Sequence, residues 1–258
     1  MNRPAATKLA RGASPATLPV VNLVLFEPAE LGQPLPRSDA RAAHLLRVLR
    51  RRTGDTFDAG VINGPRGKGT LMAVGDDALT LSFAWQTSAP PAEPFTLIVG
   101  LPRPQTARDI LRDATTLGVA AMHFVGTDRG EPSYARSTLW TSGEWRRHVL
   151  AGASQACSTR IPDVTFRQSL AAVIASLDDG SRLALDNYEA PLPLSCGEVS
   201  GAGHTVLAVG SERGWSSAER EFLRAHDFRF HHLGSRVLRT ESACLAALAI
   251  LRAKQGLM

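Results

Sequence analysis

Two arginines and a glutamate stand directly before an apolar segment near the end of the chain. Residues 233–251 have the sequence LGSRVLRTESACLAALAIL, in which Arg236, Arg239 and Glu241 precede an almost purely apolar predicted helix. The packing of such a helix does not require charges in front of it. The two arginines are suited to binding a phosphate, and Glu241 could orient one of them. An ion pair that ties down the loop would explain the same residues.

Two glycine-bearing loops follow predicted strands in this part of the chain. One is VGSERGW at residues 209–215, and the other is HLGSRVLRT at residues 232–240. Gly210, Gly214 and Gly234 permit a positive φ and a close approach of backbone to a ligand. Each loop leads into a helix, whose free N–H groups favour polar or negative ligands. A ligand site beyond the ends of parallel strands and ordinary turns are both compatible with the two loops.

A cationic helix is predicted over residues 40–52, which have the sequence ARAAHLLRVLRRR. Its apolar positions recur at the i, i+3, i+4 spacing of one helix face. Beside this face His44, Arg47, Arg50, Arg51 and Arg52 form a basic stripe. This basic stripe is suited to an RNA backbone, and a solvated helix face explains it equally well.

The sequence lacks the residue patterns of a phosphate-binding P-loop, a metal site and a disulfide framework. The segment GPRGKGT at residues 64–70 has Gly69 where a phosphate-binding P-loop needs Ser or Thr after Lys68, so it predicts a hairpin turn. The seven histidines have no ligand spacing. The three cysteines, Cys157, Cys196 and Cys244, are widely spaced and odd in number. Neither a disulfide framework nor a metal site is therefore expected, and a reducing cytoplasm is the simplest location.

Composition and charge describe an ordinary globular protein with a basic balance. The chain has 258 residues, of which 44% are hydrophobic and 21% charged. Its net charge of +5 is consistent with a polyanionic partner such as nucleic acid, although many basic proteins bind no anion. The apolar run at residues 18–26 is too short to span a membrane. Residues 1–17 are predicted to be a disordered tail.

The elements that must position these residues fall into two patterns. Residues 18–88 contain short apolar pieces between turn residues, which predicts a small β-barrel around the cationic helix. The segment TSAPPAEP at residues 87–94 predicts a linker. Residues 95–258 alternate continuous apolar strands with helices, which predicts a parallel α/β sheet. Capping-box spacing marks two helix starts, Thr141 with Glu144 and Ser216 with Glu219.

Five motifs of this chain recur in one known family. They are HLLRVLRRRTGD at residues 44–55, LGV at 117–119, QACSTRIPDV at 155–164, GSERGW at 210–215 and LGSRVLRTESACLAAL at 233–248. Together they resemble the bacterial 16S ribosomal RNA uridine N3-methyltransferase family. The likeness extends from about residue 20 to the end, and the last motif is the most specific of the five.

The resemblance implies a fold and a cofactor. The fold is an N-terminal PUA-like barrel at residues 18–88, followed at residues 95–258 by a SPOUT α/β domain with a C-terminal trefoil knot. Members of the family act as homodimers and hold S-adenosyl-L-methionine in the loops of the knot. The positions that match their cofactor-binding residues are Leu185, Gly210, Glu212, Gly214, Leu233, Gly234 and Leu238.

The resemblance also assigns catalytic and RNA-binding roles. Arg236 and Arg239 would stand where the uridine meets the methyl donor and would stabilise the anion that develops at N3, and Glu241 would hold one of them. The base would have to leave its stack to reach them. The side chains that would grip 16S ribosomal RNA, alone or in the small ribosomal subunit, are His44, Arg47, Arg50 and Arg51. No metal is required.

The first glycine-bearing loop departs from the family pattern. Ser211 stands where proline is usual, and Arg213 stands where glycine is usual. If Arg213 fills the cofactor site, the alternative is an RNA-binding or ribosome-assembly protein of the same fold with lost or altered methyl transfer. The main expectation remains a cytoplasmic, homodimeric methyltransferase that modifies N3 of a uridine.

Overall fold

The computed structural model describes residues 23–87, 91, 93–197 and 203–258. The predicted tail at residues 1–17 and part of the predicted linker lie outside the described residues. The described chain is a mixed α/β structure with one five-stranded and one seven-stranded sheet. Within it, no helix is long and apolar enough to cross a membrane.

The N-terminal part is a five-stranded sheet in the order β1-β3-β4-β5-β2. Its strands are β1 (Val24–Phe26), β2 (Leu35–Pro36), β3 (Thr56–Val61), β4 (Arg66–Val74) and β5 (Ala78–Thr87). β1 runs parallel to β3, whereas β3, β4 and β5 are antiparallel neighbours. Phe26 lies in the core of this sheet, with its ring 4.9 Å from that of Phe83. The sequence predicted all of these strands except β2, which has two residues and therefore no period to detect.

The predicted cationic helix is shorter than residues 40–52. Helix α1 (Ala40–Ala43) continues into one π-helical turn, His44–Val48, and ends there. Arg50 has a φ of 51°, the left-handed conformation that commonly follows a helix end. The prediction of a helix through Arg52 was therefore wrong, because helical periodicity does not report a backbone reversal.

The C-terminal part is a parallel seven-stranded sheet in the order β10-β12-β9-β11-β6-β7-β8. Its strands are β6 (Phe95–Gly100), β7 (Ala121–Val125), β8 (Asp163–Thr165), β9 (Ser181–Leu185), β10 (Leu192–Pro193), β11 (Thr205–Val209) and β12 (Arg229–His232). Every residue of β6 and β11 is buried, as their continuous apolar sequences predict. The short strands β8 and β10 lie towards the edges and were not predicted.

Helices cover both faces of this sheet. They are α2 (Pro104–Thr116), α3 (Thr138–Thr141), α4 (Glu144–Gln155), α5 (Leu170–Ala175), α6 (Ser217–Ala225) and α7 (Thr240–Lys254). Leu97 and Val99 of β6 pack in one core with α2, α4 and α7, whereas Ile98 packs in the other with α5 and α6. This alternation is the period of a strand that is buried on both sides.

The two predicted capping boxes have different outcomes. Ser216 and Glu219 form one at the start of α6, with reciprocal side-chain to backbone bonds of 3.1 and 2.8 Å. The box at Thr141 was wrong, because Gly143 with a φ of 77° precedes α4. The Thr141 hydroxyl instead donates to the Ser137 carbonyl at 3.1 Å.

The QACSTRIPDV segment connects the two sheets. Thr159 is fully buried, and its hydroxyl donates to the Gly64 carbonyl at 2.8 Å. The Thr159 carbonyl accepts a hydrogen bond from the Asn63 N–H at 2.8 Å. The Leu23 N–H adds a bond to the Ser154 carbonyl at 3.1 Å. The N-terminal sheet is therefore held against the C-terminal part by backbone and buried hydroxyl groups.

Candidate active site

Three parallel strands end at the same edge of the C-terminal sheet. β9 lies between β11 and β12, and its last residue Leu185 is in register with Val209 of β11 and His231 of β12. The segments that leave these strands therefore emerge side by side. Two of them are the glycine-bearing loops that the sequence singles out, and they surround the place where parallel sheets bind ligands.

A cavity of about 290 Å³ lies between these segments. Its lining includes seven of the ten residues proposed for cofactor binding and catalysis: Leu185, Gly210, Glu212, Gly214, Leu233, Arg236 and Leu238. The other three, Gly234, Arg239 and Glu241, belong to the same loop and helix start but do not line it. The structure thus brings together residues from three segments that span more than fifty positions of the chain.

The first loop folds back on itself at Gly210. A Cβ atom at Gly210 would lie 2.9 Å from the backbone of Gly214, a distance that real Cβ atoms do not tolerate. Gly214 itself has a φ of 67°, and its N–H donates to the Ser211 carbonyl at 2.8 Å. The two glycines are therefore required by the shape of this turn, and the turn forms one wall of the cavity.

Two long-range hydrogen bonds hold this loop in place. The Glu212 carboxylate accepts the N–H of Arg103 at 2.8 Å, at the start of α2. The buried Trp215 indole donates to the Leu185 carbonyl at 3.2 Å. Glu212 therefore stabilises the N-terminus of a helix while it borders the cavity. Leu185, which accepts this bond, also lines the cavity.

The two unusual residues of this loop differ in their surroundings. Ser211 is buried, and its hydroxyl has no hydrogen-bond partner among the described residues. Arg213 is exposed and lines the cavity, and its carbonyl accepts a bond from the Arg129 guanidinium at 3.3 Å. The loop thus offers an unpaired hydroxyl and an exposed positive charge to the cavity.

The second loop carries the predicted catalytic residues. Gly234 has a φ of 103°, and its N–H donates to Nδ1 of His232 at 3.0 Å. Arg236 and Arg239 are exposed, and within the described residues neither forms an ion pair with Glu241 or with any other carboxylate. The ion pair that sequence reasoning offered as an alternative is therefore not formed, and the orienting role of Glu241 stays a prediction.

Sequence reasoning missed Asp186, the first residue after β9. Its buried carboxylate binds Nε of Arg220 at 2.8 Å and accepts the N–H groups of Tyr188 and Glu189 at 2.7 Å each. These bonds define the segment between β9 and β10, which forms the third wall of the cavity. The sequence signal was a lone aspartate after a buried apolar strand, which commonly starts an Asx turn.

The buried thiol of α7 and the grouping of possible metal ligands are two further features of the described residues. Burial raises the pKa of the Cys244 thiol in α7 well above its ordinary value, so that this thiol stays protonated. Among the described residues there is no group of three His, Cys, Asp or Glu side chains that could hold a metal ion.

The predicted RNA-binding residues do not form one exposed stripe. Arg47 and Arg50 are exposed, whereas His44 and Arg51 are half-buried. His44 faces a groove between the N-terminal sheet and α4, where Leu150 and Arg147 are its neighbours. Only the two exposed arginines are thus free to reach a polyanion without rearrangement.

Comparison with known proteins identifies the family. Residues 89–252 match the RNA methyltransferase domain. Over 245 residues the chain is 35% identical to the ribosomal RNA small subunit methyltransferase E of Treponema pallidum, covering 90% of this chain and 91% of the relative. The protein of that name from Synechocystis is 30% identical over 223 residues, covering 83% of this chain and 71% of the relative.

A solved structure agrees with this relationship at the level of the fold. The ribosomal RNA small subunit methyltransferase E of Neisseria gonorrhoeae, bound to S-adenosyl methionine, superimposes with a TM-score of 0.75. The match covers 90% of this chain and 97% of that chain at 22% identity. The chain therefore belongs to the ribosomal RNA small subunit methyltransferase E family of RNA methyltransferases.

Proposed function

We propose that this protein transfers the methyl group of S-adenosyl-L-methionine to N3 of a uridine in 16S ribosomal RNA. One observation carries the proposal within the structure: the three strand ends place two glycine-bearing loops and Arg236 around a single cavity. Membership of the family supports the same reaction class, because curated relatives are named as methyltransferases of small-subunit ribosomal RNA.

The cavity residues fit the cofactor. Leu185, Leu233 and Leu238 supply apolar side chains that suit a purine ring. The backbone of residues 210–214 approaches closely because Gly210 lacks a Cβ atom, and the unpaired Ser211 hydroxyl offers a further polar contact. When bound, S-adenosyl-L-methionine supplies an electrophilic methyl group on a sulfonium centre.

The protein must make the uridine nucleophilic. N3 of uridine carries a weakly acidic proton and attacks only as that proton leaves, so negative charge develops on the base. Arg236 lines the cavity and has no carboxylate partner among the described residues, so its full charge is available to this anion. Arg239 stands three residues further on, before the first turn of α7, and we assign it the same role at longer range.

The N-terminal sheet carries the residues that we propose bind RNA. We assign residues 18–88 to a PUA-like RNA-binding domain and residues 95–258 to a SPOUT methyltransferase domain. The exposed cations of the first domain include Arg47 and Arg50, which lie at the end of the π-helical turn. The hydrogen bonds around Thr159 support a fixed placement of this sheet relative to the cavity, so that RNA held by one part reaches the other.

The path of α7 supports a knot and a dimer. β12 lies beside β9, yet α7 after it packs against α2 and β11, on the far side of β9. To do so the chain passes across the end of β9, and we assign this crossing to a C-terminal trefoil knot. Leu245 and Ala249, which lie on one face of α7, are only half-buried in the single chain. We assign this apolar face to a homodimer contact.

The position of Arg213 leads to an alternative function. Because its side chain lines the cavity, it could fill the cofactor site, in which case the protein would bind RNA or assist ribosome assembly without methyl transfer. Calorimetric titration with S-adenosyl-L-methionine separates the two functions. Binding at one site per chain is expected for the methyltransferase, and Arg213→Gly would restore binding under the alternative.

The reaction itself is tested on unmodified small ribosomal subunits with methyl-labelled cofactor. Because N3 methylation blocks Watson–Crick pairing, reverse transcription should stop at one uridine after incubation with the protein. A stop at another nucleotide would correct the substrate position. Cofactor binding without any labelled RNA would overturn the proposed reaction.

A further inference from the structure

The segment between β9 and β10 presents an aromatic ring at the mouth of the cavity. Tyr188 lines the cavity and yet is 78% exposed. Packing in the protein core therefore does not explain the ring. The ring lies between the cavity and solvent, where a ligand that enters the cavity would contact it.

The backbone under this ring is held firmly. The Asp186 carboxylate accepts the N–H of Tyr188 and that of Glu189 at 2.7 Å each, and the Asp186 N–H donates to the His231 carbonyl at 3.0 Å. Asp186 is itself buried. The ring therefore projects from a backbone that is fixed relative to the cavity.

One face of the ring is supported from within the protein. The Arg220 guanidinium carbon lies 5.3 Å from the centre of the Tyr188 ring, within the range of a cation–π contact. Arg220 is buried and is held by Asp186 at 2.8 Å and by Glu189 at 3.5 Å. These two carboxylates neutralise the charge of the guanidinium. We therefore expect Arg220 to support the Tyr188 ring and not to bind a phosphate.

We propose that Tyr188 is a stacking platform for an unstacked nucleobase of the RNA substrate. The inference rests on the proposed function and extends it to a substrate contact. A base that leaves its helix loses stacking on both sides. Proteins that bind single-stranded or flipped-out bases replace this loss with an aromatic side chain. Tyr188 has one face supported by Arg220 and lies at the mouth of the cavity, so its other face is suited to stacking on such a base.

The adenine of the cofactor is the other base that such a ring could stack on, and the experiment distinguishes the two. Tyr188→Leu removes the aromatic ring, and Tyr188→Phe removes only the hydroxyl. Leu192→Ala is the control, because Leu192 is exposed on β10 and does not line the cavity. Three quantities are measured for each: cofactor affinity by calorimetry, kcat and KM on unmodified small subunits, and affinity for a labelled single-stranded oligouridine by fluorescence anisotropy.

Tyr188→Leu should raise KM for subunits and weaken oligouridine binding by about tenfold, the usual effect of one lost base–aromatic stack. Its cofactor affinity should stay within about twofold of wild type, and Tyr188→Phe should behave as wild type. A tenfold loss of cofactor affinity with unchanged RNA affinity would overturn the proposal in favour of adenine. Unchanged RNA affinity and KM in Tyr188→Leu would also overturn it, as would equal losses in Tyr188→Phe.

Failure of the proposed reaction would be recognised separately. A wild-type protein without methyl transfer would contradict the proposed function, because that defect does not depend on Tyr188. The anisotropy measurement would still decide the stacking contact, since it requires neither cofactor nor turnover.

Discussion

Gly210 shows how a single backbone position shapes the cavity. The first loop passes so close to itself that the space of a methyl group is already filled by Gly214. Gly126, which follows β7, lies at a comparable strand end but has open space around its missing side chain. The two positions therefore form a matched pair for testing whether the turn at Gly210 holds the cofactor.

Gly210→Ala should weaken S-adenosyl-L-methionine binding by at least about tenfold, because displacing a tightly packed turn commonly costs 1–3 kcal/mol. Gly126→Ala should bind as wild type. Calorimetric titration of both proteins is the measurement, with circular dichroism to verify folding. Equal affinities in the two variants would place the cofactor elsewhere.

The two arginines of the second loop should differ in their effects. Arg236 lines the cavity and Arg239 does not. Arg236→Ala should lower kcat by about a hundredfold, as expected for a lost charge-stabilising group, and Arg239→Ala by more than about tenfold. Both should keep cofactor affinity near wild type. Single-turnover methylation of small subunits measures the effect, and full activity of either variant would remove that arginine from the mechanism.

At the scale of elements, the short α1 and its π-helical turn concentrate exposed positive charge. The helix ends before Arg50, whose positive φ directs the chain away from the helix axis. The consequence is that Arg47 and Arg50 project from a turn and not from a long helix face. This arrangement predicts a few phosphate contacts from a small area.

Replacing Arg47 and Arg50 together by alanine should weaken RNA binding and reduce its salt dependence. Each lost phosphate contact should lower the slope of log affinity against log salt by about 0.7–0.9. Val48→Ala is a matched control, because Val48 is exposed in the same turn and carries no charge. An unchanged slope in the double variant would indicate that this turn is only a solvated surface.

At the scale of the whole molecule, the buried His231 and the half-buried His123 connect the free energy of unfolding to pH. Burial lowers the pKa of His231, with help from the charges of Arg229 and Lys254, and burial also lowers the pKa of His123. Both rings therefore resist protonation in the folded protein. In the unfolded chain they take up a proton near pH 6.5.

The free energy of unfolding should consequently fall as the pH drops below about 6.5, because the unfolded state then binds more protons than the folded state. Denaturant unfolding at pH 7.5 and 5.5 measures this loss. His231→Leu should reduce the difference between the two pH values. Carboxylates such as Glu30 and Asp39, whose pKa values are lowered by Arg41, act at more acidic pH and do not affect this window. A pH dependence unchanged by His231→Leu would assign the loss to other groups.

The amino-acid sequence determined much of this protein by itself. Continuous apolar runs predicted the central strands β6, β9 and β11, and the Ser216–Glu219 pair predicted the start of α6. The glycine-bearing loops predicted the edge of the sheet at which the cavity lies. These features are local, because a strand, a cap or a turn depends on residues within a few positions of one another.

Only the tertiary structure decided which side chains meet. The bond from Arg103 to Glu212 joins residues 109 positions apart, and the pair Asp186–Arg220 depends on the packing of α6 against the end of β9. Such contacts follow from the strand order β12-β9-β11-β6, which hydrophobic periodicity does not encode. For the same reason the sequence could nominate Gly234, Arg239 and Glu241 together with Arg236, whereas the folded chain places only Arg236 against the cavity.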